Sequence, residues 1–452
     1  MAKITLAQAA AWCGGWVDPK YAEVAFLGAS NDSRNIQPGQ LFLALQGVRD
    51  GHDFIPMAME KGAAAVLCSR PQENIPAIVV DDVRIALGKI AAGERQRIGM
   101  KVVGVTGSVG KSTTKEMIAC VLGAAYKVAK TPANHNNDIG MPMAVLSMPE
   151  DAQVAVLEMG MNHFGEISYL TNIAKPDVAV IINIGTMHIE HLGSQQGILK
   201  AKLEILEGLQ PNGELMLYGD DAHLWSVRDS LAVKPVYFGS ENPECEIKAS
   251  GVRLDENVSY TASWSDGFMN ITIPVEGGHY VSDSLAAVSV GLAMGVRPEK
   301  IVEALAVFQN MEGRQEIFEA KGCTIIKDCY NAGPESMAAA LAVLGNRPGR
   351  KIAVLGDMLE LGVCAPAEHY KVGRIAAERA DALLSYGPNS TRMVSGALTG
   401  GMAESMTGAF TDRDALVAAL KRMVKPGDVL LFKGSHGMHM EITLEKFLKD
   451  ET

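Results

Sequence analysis

An α/β protein of three domains is what this sequence predicts, and three observations carry the expectation. Short apolar runs alternate with helical patterns, and several of the runs close on polar or glycine-containing loops, as strands of parallel sheets do. The chain has 452 residues, too many for one ordinary core, and ~3 domains is what that length suggests. The stretch VVGVTGSVGKSTTKEMI at 102–118 reads as strand, glycine-rich turn and helix, and the rest is organised around it. The expected domains are 1–82, 83–312 and 313–452.

Composition narrows the class. Hydrophobic residues make up 48% and charged residues 21%, as in a globular chain. Lys and Arg number 41 against 52 Asp and Glu, a net charge of −11 without basic runs, which argues against nucleic acid as a partner. Met1-Ala2-Lys3-Ile4 opens no signal peptide, and no apolar run approaches the ~20 residues of a membrane span. A soluble cytoplasmic protein with no membrane association is expected, and a monomer. Seven scattered cysteines without a CxxC pair predict buried thiols in a reducing compartment.

Residues 1–82 read as a small α/β unit. Apolar runs at 42–45 and 64–67 are strands, with a helix around 55–61 between them. Ahead of them stands Asn31-Asp32-Ser33-Arg34. Asp-Ser-Arg in a loop offers a guanidinium fork and a hydroxyl to a ligand, although a solvated turn is the commoner use of such residues.

Residues 84–97 (RIALGKIAAGERQR) predict a helix leading into the strand at 102–105. The turn that follows is Thr106-Gly107-Ser108-Val109-Gly110-Lys111-Ser112-Thr113. Its glycines let backbone N–H groups face phosphate oxygens, the lysine brings a mobile positive charge, and the next hydroxyl suits Mg²⁺. The full P-loop spacing wants a glycine where Val105 stands, so the motif is the shorter TGxxGKST. Behind a strand and before a helix it marks a nucleoside triphosphate site, and the central domain is expected to be a parallel sheet of the P-loop ATPase kind.

The loop at 131–140 carries Asn134, Asn136 and Asn137, too dense in amides for punctuation alone and suited to sugar or peptide recognition. An apolar strand at 154–157 ends at Glu158, and another at 178–182 is followed by His188. A helix capped by Gly193 or Ser194 runs to about Leu209 and carries Lys200, Lys202 and Glu204. The P-loop, Glu158 and His188 all lie beyond the carboxyl ends of strands, where open α/β sheets bind ligands. Glu158 and His188 there could complete the Mg²⁺ coordination begun by Ser112. Taken singly, each reads as well as a strand-end cap or a loop histidine.

Residues 245–275 alternate like β-strands, and a small-residue helix is expected from Asp283 to Gly295. A boundary near Glu312-Gly313-Arg314 opens the third domain. Its strands are expected at 324–327, ending at Asp328, then at 352–355, 382–385 and 429–432, ending at Lys433. Strands separated by helices describe a Rossmann-like unit, though without GxGxxG it points to no dinucleotide.

TGSVGKST, NHNNDIGMP, LEMGMNHFGEI, NIGTMHIEHLGS, KAKLEI, DCYNAGPESM, LGDMLELG and FKGSHGM occur in this order, and the set resembles the Mur ligases over nearly the whole chain. The resemblance implies an N-terminal UDP-binding domain with Ser33 and Arg34 on the uridine nucleotide, and a carboxylate–amine ligase that uses ATP and Mg²⁺. It implies joining of D-alanyl-D-alanine to a UDP-muramoyl tripeptide through an acyl phosphate. Lys111 would work on phosphate charge, Ser112 and Glu158 on one Mg²⁺, and His188 with a carbamoylated Lys202 on a second. Asp328 would hold the ATP ribose. Tyr330 and Asn331 would sit near phosphates and amine, with Arg314 and Lys433 adding charge.

The chain departs from the family pattern at three places. YNANP is YNAGP, with Gly333; KGSR is KGSH, with His436; and HNxxN is His279-Tyr280-Val281-Ser282-Asp283, where the last position normally reads the adenine edge. Two other readings compete. One is a relative with a different acceptor or amine, the other a nucleotide-binding protein without catalysis, against which Lys111, Ser112, Glu158, His188 and Lys202 stand together.

Overall fold

The structure, a computed structural model, describes residues 3–449. The N-terminal sheet has the order Trp16–Val17, Ala77–Val79, Ala65–Cys68, Leu41–Leu43, Ala29–Ser30, and only its first pair is antiparallel. Alternation divides its side chains cleanly. Phe42, Val66 and Cys68 join Ile55 of the helix Ile55–Glu60 in a core of their own. Leu41, Leu43, Ala65 and Leu67 face the other way, into a core shared with the central domain. The bridge between the two is the helix Val83–Ile98, whose Asp82 cap accepts from the Arg84 and Ile85 amides and whose end is turned by Gly99 at φ 71°.

The central sheet has nine strands. The strand Lys101–Thr106 lies between Val154–Glu158 and Val178–Ile181, both parallel to it, so the chain leaves it to opposite sides. That reversal is the topological switch point where such sheets open a crevice. Val102, Val103 and Val105 are fully buried because helices cover both faces. Val103 and Val105 pack with the helices Lys111–Gly123 and His279–Ala293, while Val102 packs with the bridging helix. Burial of each such side chain stabilises by about 1.5–3 kcal/mol.

The small-residue helix begins at His279, four residues before its expected start, and Gly291 shows why its residues are small. A Cβ there would stand 2.6 Å from Val121 of the P-loop helix. The helix expected from 194 to 209 ends at Leu203 and tightens into a 3₁₀ turn over Glu204–Glu207. Strands at Val128–Lys130, Glu214–Tyr218 and Val236–Gly239 extend the sheet beyond what the sequence reading placed.

The C-terminal sheet orders Glu316–Ala320, Cys323–Asp328, Val429–Lys433, Lys351–Gly356, Ala382–Tyr386 and Thr407–Phe410, with only the first pair antiparallel. Met337, Val372 and Met393 cover one face, and Leu416, Leu444 and Phe447 the other. The expectation for the thiols is corrected in part, since Cys120 and Cys364 are only half-buried. No helix among the described residues is long and apolar enough to cross a membrane.

Candidate active site

Thr106 ends the central strand with its hydroxyl on the Met159 carbonyl (2.9 Å), which ties the P-loop to the neighbouring strand end. Gly107 has no room for a Cβ because Ile182 fills that space, and Gly110 adopts φ 82° at the entry to the helix Lys111–Gly123. Only glycine takes that conformation without strain. The Ser108 and Val109 amides donate to Asn183 Oδ1 at 2.9 and 3.0 Å. Lys111 folds its ammonium back onto the Gly107 and Ser108 carbonyls at 2.9 and 3.2 Å. Burial lowers its pKa, with Glu158 opposing and Arg314 adding to the shift. A helix N-terminus, a lysine and Ser112 thus meet where an anion is best held.

Glu158 sits at the end of its strand, 2% exposed. One carboxylate oxygen accepts from Asn136 Nδ2 (2.8 Å), while the other has no hydrogen-bond donor among the described residues and lies 3.6 Å from Lys115 Nζ. Lys115 escaped the sequence reading. It is fully buried and donates to the Thr131 and Ala133 carbonyls, so it clamps the asparagine loop onto the P-loop helix. Its signal was its place four residues after Lys111, on the same helix face. Asn134, Asn136 and Asn137 all line the cavity, but Asn137 spends its side chain on the Ile139 and Gly140 amides.

The cavity, about 490 Å³, lies between the central and C-terminal domains. Ser108, Gly110, Lys111, Ser112 and Thr113 form one wall, with Glu158 and His188 beside them. From the C-terminal side come Arg314, Asp328, Tyr330, Asn331 and Lys433. Arg314 donates to Ser112 Oγ (2.9 Å) while its guanidinium lies 4.1 Å over the Tyr330 ring. Lys433 donates to Asp328 (2.6 Å) and to the Asn331 carbonyl (3.0 Å). Glu335, also missed by sequence, reaches back and accepts from the Thr186 amide and hydroxyl at 2.9 and 3.1 Å.

Lys202 does not line the cavity. It is 2% exposed, with no hydrogen-bond or ion-pair partner among the described residues. Burial first, and the Lys111 ammonium second, push its pKa well below the usual lysine range. His188 takes a left-handed backbone, φ 64°, and its Nδ1 stands 2.7 Å from Glu360 Oε2 without hydrogen-bond alignment.

Among the described residues no three His, Cys, Asp or Glu side chains gather into a ready metal cage. The donor set nonetheless fits Mg²⁺, which takes one or two carboxylates and completes its shell with water and phosphate oxygens. The unpartnered oxygen of Glu158 and the hydroxyl of Ser112 are such donors.

Asp283 faces Gly110 and accepts from Thr114 Oγ1 (3.0 Å), beneath the P-loop, and burial lifts its carboxyl to about 7. His279, at the same wall, is pushed down to about 4 by burial. Gly333 packs where a Cβ would stand 2.8 Å from Met187 Cγ, so the missing asparagine side chain is matched by a methionine. His436 is exposed, its ring 6.1 Å from that of Tyr330. Ser33 and Arg34 do not join this cavity. Arg34 folds its fork onto Asp32 with two 2.9 Å bonds, and Ser33 is buried against Met57.

Comparison with known proteins agrees with this arrangement. The Mur ligase family catalytic domain matches residues 24–96, the Mur ligase middle domain 105–291, and the Mur ligase glutamate ligase domain 313–436. The UDP-N-acetylmuramoyl-tripeptide–D-alanyl-D-alanine ligase of Bacillus subtilis is 39% identical over 437 residues, covering 95% of this chain and 94% of its own. The crystal structure of MurF from Acinetobacter baumannii superposes with a TM-score of 0.92 at 32% identity, covering both chains fully. MurF ligase from Thermotoga maritima, solved with ADP, gives 0.82 at 29%, covering 93% of this chain and 97% of that one. With three matched domains and relatives that align over nearly their full length, the chain belongs to the Mur ligase family.

Proposed function

We propose that the chain joins D-alanyl-D-alanine to a UDP-N-acetylmuramoyl tripeptide at the expense of ATP, through an acyl phosphate, in the cytoplasmic synthesis of a peptidoglycan precursor. The observation that carries the reading is the meeting of Lys111 and Ser112 with Arg314, Tyr330 and Lys433 in one inter-domain cavity. Phosphoryl and acyl transfer need cations fixed where charge develops, in a site closed to water. The relatives that align end to end carry this activity in their names.

A substrate carboxylate oxygen attacks the γ-phosphorus and ADP leaves. The amine nitrogen then attacks the carbonyl carbon, the C–N bond forms, and the C–O bond to phosphate breaks as a proton departs. Lys111 and Arg314, which line the cavity, are assigned to neutralising the transferring phosphoryl group. Asp328 is assigned to the ribose, and Tyr330 and Asn331 to the amine side, all three lining the cavity. Asn134 and Asn136, on the same cavity, are assigned to the muramoyl peptide. Ser112 and Glu158 would hold Mg²⁺, which supplies charge neutralisation of the phosphates. A second cation would use His188 and Lys202. As an ammonium Lys202 is no ligand, but its burial without an anion suits a carbamate, which is an anionic oxygen donor. Ser33 and Arg34, away from the cavity, are assigned to the uridine nucleotide.

Phosphate release measured with ATP and the UDP-muramoyl tripeptide tests the reading. Release is expected to require D-alanyl-D-alanine. Equal release without it, or a preference for another amine in a panel, overturns the assignment.

A further inference from the structure

The segment after the strand Lys351–Gly356 leaves the C-terminal domain and touches the central one. Its backbone is pinned residue by residue. The Met358 amide donates to His369 Nε2 and the Leu359 amide to Ser435 Oγ, both at 2.9 Å. The Asp357 carbonyl accepts from the Ser435 amide at 3.1 Å, and its carboxylate accepts twice from Asn389. Beyond the tip, Gly362 lies so close to Glu190 that a Cβ would stand 3.0 Å from its side chain.

At the tip is Glu360, at φ 63°, with Oε2 2.7 Å from His188 Nδ1, and His188 itself has φ 64°. Two non-glycine residues in left-handed conformation, from two domains, thus meet side chain to side chain. Such backbones cost about 1–3 kcal/mol each and persist where the surroundings over-determine them. Among the described residues His188 Nδ1 is buried without an aligned hydrogen-bond partner, and this carboxylate oxygen stands 2.7 Å from it.

We propose that Glu360 is a positioning residue for the cation site: when the C-terminal domain closes, its carboxylate takes the Nδ1 proton of His188 as a hydrogen bond and leaves Nε2 free for a divalent ion. A ligating histidine is oriented in this way when its second nitrogen donates to a carboxylate. Because the carboxylate comes from one domain and the histidine from the other, cation binding and domain closure favour each other, each by the same factor. The inference rests on the reading of His188 as a cation ligand.

Mn²⁺ binding to the full chain with ADP in bicarbonate buffer, followed by electron paramagnetic resonance, tests it. Glu360→Gln keeps shape and loses charge. It is expected to weaken the His188-dependent Mn²⁺ by roughly 10–100-fold, the usual cost of losing such a partner. Glu360→Asp should retain most of the affinity. If His188→Ala loses a Mn²⁺ that Glu360→Gln binds within twofold of wild type, the inference is overturned and the cation site stands. If His188→Ala loses none, the reading of His188 fails and the inference with it.

Discussion

Arg314 spans the domain junction to the Ser112 hydroxyl at 2.9 Å while stacking at 4.1 Å on Tyr330. The hydroxyl that follows the P-loop lysine is therefore held by a cation from the third domain, and on the proposed reading nucleotide binding would exchange that bond for phosphate and Mg²⁺ contacts. Arg314→Ala is expected to lower kcat/KM by about 10²–10³-fold, the scale of losing one fixed donor at a developing charge. Arg314→Lys should recover little, because a point charge neither forks nor stacks. Steady-state kinetics with varied ATP would check both, and near-wild-type turnover in the alanine variant would count against the placement.

Arg34 tests the assignment of the uridine nucleotide to the N-terminal domain. Its fork is folded onto Asp32 in an exposed loop far in sequence from the P-loop, so a role on the uridine nucleotide requires it to leave that partner. Arg34→Ala should raise KM for the UDP substrate several-fold with kcat and the ATP KM little changed, as for a contact made equally in ground and transition states. Equal movement of both KM values would disprove the assignment.

The strands at 102–106, 154–158 and 178–181 were legible because parallel strands covered on both faces read as unbroken apolar runs. Thr407–Phe410 and Glu316–Ala320 were not, being half-exposed edge strands with mixed polarity. The site divides likewise. Lys111, Ser112 and Glu158 stand at or just beyond strand ends, whereas Glu335 and Glu360 find their partners only where the C-terminal domain lies on the segment 186–190. No local spacing encodes that contact. The helix reading missed His279 as its first residue because glycines at 277 and 278 masked the start.

Asp283 and His279 give opposite pH dependences. The folded state holds the Asp283 proton up to about 7 against an ordinary value of 3.8, so it binds more protons than the unfolded chain between them. Stability from this group is therefore lost as pH rises through that window. His279 falls from 6.5 to about 4, so the unfolded chain binds more protons there and stability rises with pH. The two offset one another over the shared range. Asp283→Asn removes only the falling component, so its denaturation midpoint should climb relative to wild type from pH 4 to pH 7, by at most about 1.4 kcal/mol per pH unit. Midpoints that differ by a constant across that range would contradict the burial argument.

Lys202 has the burial of a core residue and the chemistry of a surface one. Its ammonium has no acceptor among the described residues and feels Lys111 as a like charge, so the unmodified side chain destabilises its own site. A solvated helix lysine would behave otherwise, since replacing one changes stability by less than ~0.5 kcal/mol and leaves rate alone. The depressed pKa favours the neutral amine, which is the form that reacts with CO₂; the nitrogen bonds to carbon, one proton leaves, and an anionic carbamate results. That anion would sit against Lys111 and supply the oxygen ligand that His188 lacks. Lys202→Ala is therefore expected to lose nearly all activity, and acetate or formate should restore part of it by placing an oxygen anion in the vacated space. Lys202→Arg should be inactive and unrescued, because it keeps a cation and fills the gap. Mass spectrometry under native conditions should show the wild type heavier by one CO₂, and Lys202→Ala not. Near-normal turnover in Lys202→Ala, or an unmodified wild type at full activity, would end the proposal.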